Sequence, residues 1–301
     1  MSEWLTCTEF GCSPIHSFTH LLIHPMSSNL LAGKVGIISG ALNEKSIAWK
    51  VAQRAHAEGA RFVLTNAPLA MRMGEINKLS EECNAPIIPA DATSTEELEK
   101  LFAGAQEQLG GKLDFVLHSI GMSPNIRKGK HYGELNYQWF QQTIDISALS
   151  LHKMLAVAEK QDAFNEWGSV VALSYIAAQR AFLDYTDMTQ AKAMLESIAR
   201  SYGQRLGKLK KVRVNTISQS PTKTTAGTGI SGFDAFYEFA DKMSPLGNAP
   251  AEACADYCIS LFSDLTRYVT MQNLMHDGGF STTGISAEIV ELVSAAAGAQ
   301  E

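Results

Sequence analysis

The chain is short of the features that mark special environments. It has five cysteines, Cys7, Cys12, Cys83, Cys254 and Cys258, odd in number and irregularly spaced. That argues against a disulfide framework and for reduced thiols in a cytoplasmic protein. No apolar run is long enough to span a bilayer, so no membrane partner is expected. Basic excess is missing too. The formal net charge is −6, and general nucleic-acid binding wants a basic footprint. The glycine-rich G-x-G-x-x-G signature is absent, as are internal repeats and low-complexity tracts.

What is present is core material: 46% of the 301 residues are hydrophobic and 19% charged, enough for one large domain or two ordinary ones. Residues 1–25 stand apart. They lack the basic n-region and long apolar core of a secretory signal, and Met26 opens a run that looks like a natural N-terminus. We read them as an extension, either a disordered arm or the product of an upstream start. Cys7, Cys12, His16, His20 and His24 invite a metal reading, but Cys12 and His16 are too close for finger spacing, where roughly a dozen residues separate the pairs. No metal is expected.

From Lys34 onward the pattern alternates. Strands are expected at Val35–Ser39, Arg61–Thr65, Pro86–Ile88, Leu113–Leu117, Ser169–Leu173, Val212–Ile217 and Tyr268–Leu274. Helices fall between them, at Ser46–Glu58, Met71–Cys83, Thr95–Leu109, Asn136–Lys160, the stretch containing Ala191, and Ala251–Phe262. Such alternation predicts an α/β fold with a doubly wound parallel sheet of about seven strands and helices on both faces, a three-layer sandwich. The tail from Ser294 reads as loose.

Chemistry gathers at the ends of the strands. Gly40 and Ser46 frame the first strand–helix loop, where a backbone approach and a helix N-terminus can meet phosphate; Ser46 can equally be a simple helix cap. The second strand ends in Thr65-Asn66, with no carboxylate for a ribose 2′-hydroxyl and no adjacent arginine for a 2′-phosphate, so NADH and NADPH both stay open. Asp91 can reach an adenine amino group or cap the helix at Thr95. His118 reads as a core histidine, followed by Ser119, Ile120 and Gly121. Between Ser174 and Lys192 lie Tyr175, Tyr185 and Lys192. Tyr185 and Lys192 are seven apart, two helical turns, which puts a phenol and an ammonium on one side. A phenol beside an ammonium can donate a proton or stabilise an oxyanion.

Together, Gly40 with Ser46-Ile47-Ala48, His118-Ser119-Ile120-Gly121, Tyr175 with Tyr185 and Lys192, and His276-Asp277-Gly278-Gly279-Phe280 resemble the bacterial NADH-dependent enoyl-[acyl-carrier-protein] reductases, a divergent branch of the short-chain dehydrogenase/reductase superfamily. The resemblance covers about Leu31 to Thr282, and Tyr-x6-Lys is its most specific part. Ordinary superfamily members use Tyr-x3-Lys, and here Thr189 stands four beyond Tyr185. The resemblance implies a Rossmann-like domain over 26–301, with a substrate-binding loop and helix near 220–242. It also implies hydride transfer from NADH (NADPH possible) to a carrier-linked trans-2-enoyl thioester, in a homotetramer.

By the same resemblance Tyr185 stabilises the enolate, Lys192 holds the nicotinamide ribose and Tyr175 is the second active-site tyrosine. Cofactor contacts fall to Gly40, Ser46, Ile47, Asn66, Asp91, Ala92, Ser119, Ile120, Gly121 and Thr222, and substrate contacts to Tyr175, Tyr185 and Met122. Two departures stand out. Gln219 and Ser220 replace the commoner alanine and glycine, which would alter the cofactor pocket. The segment from Gly232 is aromatic and acidic where basic residues are common, so carrier docking would fall to Arg127, Lys128 and Lys130. The rival readings are a carbonyl reductase of the same superfamily, using Ser174, and a nucleotide-binding regulator without turnover.

Overall fold

The computed structural model describes residues 28–182, 185–225, 227 and 232–298. The extension, with its cysteines and histidines, lies outside them. Six strands, β1 (Val35–Ser39), β2 (Arg61–Thr65), β3 (Leu113–His118), β4 (Phe164–Ser174), β5 (Arg213–Gln219) and β6 (Asn273–His276), form one parallel sheet in the order β2-β1-β3-β4-β5-β6. The helices are α1 (Ile47–Ala57), α2 (Pro68–Met73), α3 (Ile76–Cys83), α4 (Thr95–Leu109), α5 (Pro124–Arg127), α6 (Tyr137–Ile144), α7 (Ser150–Lys160), α8 (Thr186–Lys210), α9 (Phe233–Met243), α10 (Ala251–Phe262) and α11 (Ala287–Gly298).

Parallel strands need covered faces, and both are covered. On one side α4, α7 and α8 bury Leu101, Phe102, Leu151, Leu155 and Leu195 against Ile37 and Val116. On the other, α1, α3 and α10 bury Trp49, Val51, Leu79 and Cys258 against Ile38, Phe115 and Ile217. Phe115 stacks on Phe262 with ring centroids 4.7 Å apart.

Several boundaries differ from expectation. Pro86–Ile88 is not a seventh strand: it joins the sheet only as a bridge, Leu64 to Ile87, because proline lacks the N–H for a full ladder. The helix expected over 71–83 is two helices. At Gly74 a Cβ would come within 2.5 Å of the Leu42 carbonyl, and Glu75 N–H donates to that same oxygen at 2.8 Å, so close approach of the first loop splits it. The last strand starts later, at Asn273, after Met271 takes a left-handed turn with φ of 61°. The tail is not loose through Gly298: it continues as α11, whose alanines favour helix. The long helix over 136–160 is interrupted by one π-helical turn, Asp145–Leu149.

All six strands run the same way, so their carboxyl ends share one edge. Chain reversal between β1 and its two neighbours, β2 and β3, opens a crevice there, where such sheets bind ligands.

Candidate active site

The first loop is built by close approach. Gly40 has φ of 91°, and a Cβ on it would lie 1.9 Å from the Ser119 carbonyl. The loop after β1 therefore lies directly on the loop after β3. Ser46 occupies the N-cap position of α1 but does not cap it. Its hydroxyl turns back, donating to Asn43 O at 2.7 Å and accepting from Leu42 N–H at 3.2 Å. This leaves the first turn of α1, beginning at Ile47, without a side-chain cap, a setting that suits an anionic group.

Asn66 donates to Ala41 O at 2.9 Å and so ties the end of β2 to the same loop. Asp91 is brought beside it, through the Ala90 N–H to Asn66 O bond of 3.1 Å. Its carboxylate takes Thr93 N–H and Oγ1 at 2.9 and 2.8 Å, and the helix cap, one of its two readings, is supplied by Ser94 instead. Ala92 is buried in the core beneath. Ile120 packs on that core as well, while Met122 is held by Ser147, which accepts from its N–H at 2.9 Å and donates to its carbonyl at 3.1 Å.

Tyr185 stands immediately before α8, not within it. Its ring centroid is 5.0 Å from that of Tyr175. Tyr175 in turn meets Phe182 and Phe236, and Phe280 meets Phe182, Phe236 and Phe239. Among the described residues the buried Tyr175 hydroxyl has no hydrogen-bond partner. Burial pushes both phenols well above the usual tyrosine range, and for Tyr175 the neighbouring Tyr185 and Asp277 add to it. Both are proton donors, not phenolates, at neutral pH.

Lys192 is 8% exposed. Its Nζ donates to Leu173 O at 2.8 Å and lies 3.6 Å from where a Cβ on Gly121 would be. Burial lowers its pKa to about 8, against partial compensation from Glu196. Ser174 is not available to Tyr185: it is buried and donates to Glu196 at 2.7 Å. His118 is fully buried on Ser150 Oγ at 2.8 Å, and desolvation holds it neutral with a pKa of about 3.

Thr222 donates to Ser220 O at 2.9 Å in the loop after β5. Gln219 and Ser220 both touch Thr222, Gln219 donating to its Oγ1 at 3.3 Å and Ser220 O accepting from it. Both are buried sideways, Gln219 against His276 Nδ1 at 2.6 Å and Ala249 O at 2.8 Å, and Ser220 against Ala249 N–H at 3.0 Å. Asn43 donates to Thr225 at 2.9 Å, a bond between the first loop and this one that no pattern in the sequence announced.

The arrangement can hold a dinucleotide and polarise a carbonyl. The residues fit a nicotinamide cofactor: an uncapped helix start for phosphate, a close-packed glycine loop, and a buried ammonium at Gly121. The geometry defines a short-chain dehydrogenase/reductase with the longer Tyr-to-Lys spacing. The model of the enoyl-(acyl carrier protein) reductase family matches residues 40–281, and the chain belongs to that family. It is 62% identical to a FabI from Alistipes finegoldii solved as its NADH complex, covering 86% of this chain and 91% of that one, with a TM-score of 0.85. It is 33% identical to the NADH-dependent enoyl-[acyl-carrier-protein] reductase FabI of Rickettsia bellii, over 86% of this chain and 98% of that protein. To the corresponding enzyme of Bacillus subtilis it is 31% identical, over 84% and 98%.

The low pKa of Lys192 has a sign. The fold disfavours its ammonium, a penalty in full force below about pH 8 and relieved as pH rises toward the ordinary value of 10.5. Raising pH through about 8 should discharge Lys192 in the free enzyme, so kcat/KM for NADH should fall with an apparent pKa near 8. Lys192→Met should be low and flat over the same range, and a variant that keeps the wild-type limb would assign the titration elsewhere.

Proposed function

We propose that this chain reduces the trans-2 double bond of enoyl-[acyl-carrier-protein] with NADH, the last step of the fatty-acid elongation cycle, using Tyr185 as the hydrogen-bond donor to the thioester oxygen. The observation that carries the reading is Tyr185 in tilted contact with Tyr175, with a buried Lys192 seven residues on and Thr189 where the ordinary lysine would be. NADH, when bound, supplies the hydride to the β-carbon of the enoyl group.

As negative charge moves to the thioester oxygen, Tyr185 meets it with a proton-bearing phenol. Lys192 adds positive charge from behind and holds ribose hydroxyls. Gly40, Ser46, Ile47, Asn66, Asp91, Ala92, Ser119, Ile120, Gly121 and Thr222 hold the rest of the cofactor. Met122, Tyr175 and the aromatic residues of α9 line the acyl chain's path and exclude water. The enolate then takes a proton at its α-carbon from solvent. With Ser174 committed to Glu196, the carbonyl-reductase alternative loses its serine.

The carrier docks, in this reading, on Arg127, Lys128 and Lys130, beside the Met122 loop. Support comes from the other rim, where α9 carries Asp234, Glu238 and Asp241 and its one lysine, Lys242, pairs with Glu288 at 3.7 Å. We place the enzyme in the cytoplasm, since Cys83, Cys254 and Cys258 are buried free thiols. We also infer a homotetramer. Tyr137 and Met194, 80% and 38% exposed on α6 and α8, are apolar groups that subunit contact would cover, and light scattering should give four times the chain mass; a monomer would refute it.

The direct test follows loss of NADH absorbance with a crotonyl or longer trans-2-enoyl thioester. Tyr185→Phe should lower kcat about 10²–10⁴-fold with NADH binding preserved. Unchanged turnover would remove Tyr185 from the chemistry. Reversing the charges of Arg127, Lys128 and Lys130 should raise KM for carrier-linked substrate about tenfold or more while leaving a small thioester unaffected, and equal behaviour of the two substrates would move the docking face elsewhere.

A further inference from the structure

Two residues beyond Tyr185 a carboxylate is taken wholly out of solvent: Asp187, in the first turn of α8, is 0% exposed. Four neutral side chains converge on it. Ser123 Oγ and Thr186 Oγ1 donate to Oδ1 at 2.7 and 3.0 Å, while Asn125 Nδ2 donates to Oδ2 at 2.7 Å and Thr143 Oγ1 approaches it at 2.8 Å. The donors come from separate pieces of chain: the loop after β3, α5, α6 and α8 itself.

Ser123 and Asn125 do further structural work. Ser123 Oγ also accepts from Ile126 N–H at 3.1 Å, starting α5. Asn125 Oδ1 accepts from Asn136 N–H at 3.0 Å, and Asn136 caps α6 through Trp139 N–H at 3.1 Å. Ser123 directly follows Met122, so the carboxylate joins the segment carrying Tyr185 to the one carrying Gly121 and Met122.

Thr186, between Tyr185 and Asp187, has φ of 34°. A β-branched residue avoids this region, and it persists only where surroundings over-determine it. Here the surroundings include the bond from its own hydroxyl to Asp187. The choice of residue type follows from the donors. Three donors, and a fourth hydroxyl, Thr143 Oγ1, that shares its one proton between Trp139 O and Asp187 Oδ2, need an acceptor-only group, which a carboxylate is. An amide would turn an N–H₂ toward groups that themselves donate. The position of the charge at the start of a helix also favours it.

We infer that Asp187 is the positioning residue for Tyr185. It gathers the donors of three elements around the start of α8. In doing so it holds the strained turn at Thr186 and sets the phenol against the Gly121–Ser123 loop. The inference rests on the reductase reading only for the choice of assay.

The test compares wild type, Asp187→Asn and Thr143→Val. Measured for each are kcat and KM with a crotonyl thioester, the NADH dissociation constant by fluorescence, and the ¹⁹F spectrum of enzyme carrying fluorotyrosine, with the Tyr185 signal assigned by Tyr185→Phe. Asp187→Asn should lose about tenfold or more in kcat with KM and NADH affinity within about twofold, and the Tyr185 fluorine signal should shift or broaden. An unchanged kcat and signal would overturn the inference. So would a parallel loss of kcat, KM and NADH binding, which marks general damage. Should Asp187→Asn not fold, Thr143→Val removes one donor at nearly constant volume, and its kcat should fall about threefold with NADH affinity kept; no fall and no fluorine shift there also overturns it. A wild type that turns over no enoyl thioester would sink the reductase reading alone, since the fluorine comparison still decides Asp187.

Discussion

Taking a lysine ammonium out of water costs about several kcal/mol unless something replaces its hydration. Lys192 is 8% exposed, and its visible replacement is one carbonyl, Leu173 O at 2.8 Å. The rest of the site is arranged around that cost. The bond ties α8 to the carboxyl end of β4, which fixes where the helix begins and hence where Tyr185 stands. Glu196, one turn further along α8, compensates part of the charge and is itself held by Ser174 and Gln179. The amine is left with a lowered proton affinity and donor capacity facing Gly121, which suits a group that must grip a polar ligand at neutral pH.

The surroundings divide by polarity. On the loop side, hydrogen bonds decide positions: Gly40 against Ser119, Asn66 on Ala41, Met122 on Ser147, and Asp187 among its four partners. On the other side, aromatic rings decide them, with Tyr175, Phe182, Phe236 and Phe280 in edge and tilted contact. The polar half is fixed by directional bonds, those of Asn66 and Met122 with a backbone group as one partner. The aromatic half is held by dispersion and area, which depend less on exact geometry. Tyr175 belongs to both, with its ring among the aromatics and its buried hydroxyl unpaired among the described residues.

Much of the fold was legible because a parallel sheet buried on both faces writes itself as short apolar runs separated by amphipathic helices. Val35–Ser39, Arg61–Thr65 and Ala251–Phe262 needed no tertiary information. The errors fell where contacts between distant segments override local pattern. Pro86–Ile88 has strand composition, but its proline limits it to a single bridge. The break at Gly74 is imposed by Leu42, and the turn at Met271 ends an apolar run that local pattern would continue. Of the two readings of Asp91, the cap went to Ser94, whose hydroxyl was three residues nearer the helix.

Sequence alone determined the family, and it singled out Tyr185 and Lys192 as the groups to test, because Tyr-x6-Lys and the glycine loop are local patterns with local chemistry. It also placed both tyrosines and the lysine in one stretch of chain. Tertiary structure alone decided what surrounds them. Which serine faces Glu196 instead of the phenol, where Gln219 turns, and why Asp187 must be a carboxylate all depend on donors 44 to 64 residues away along the chain or on burial. Spacing along a chain sets which side chains share a helix face, but the desolvation that lowers one pKa and raises another comes from every element packed around the group, and no local pattern records that sum.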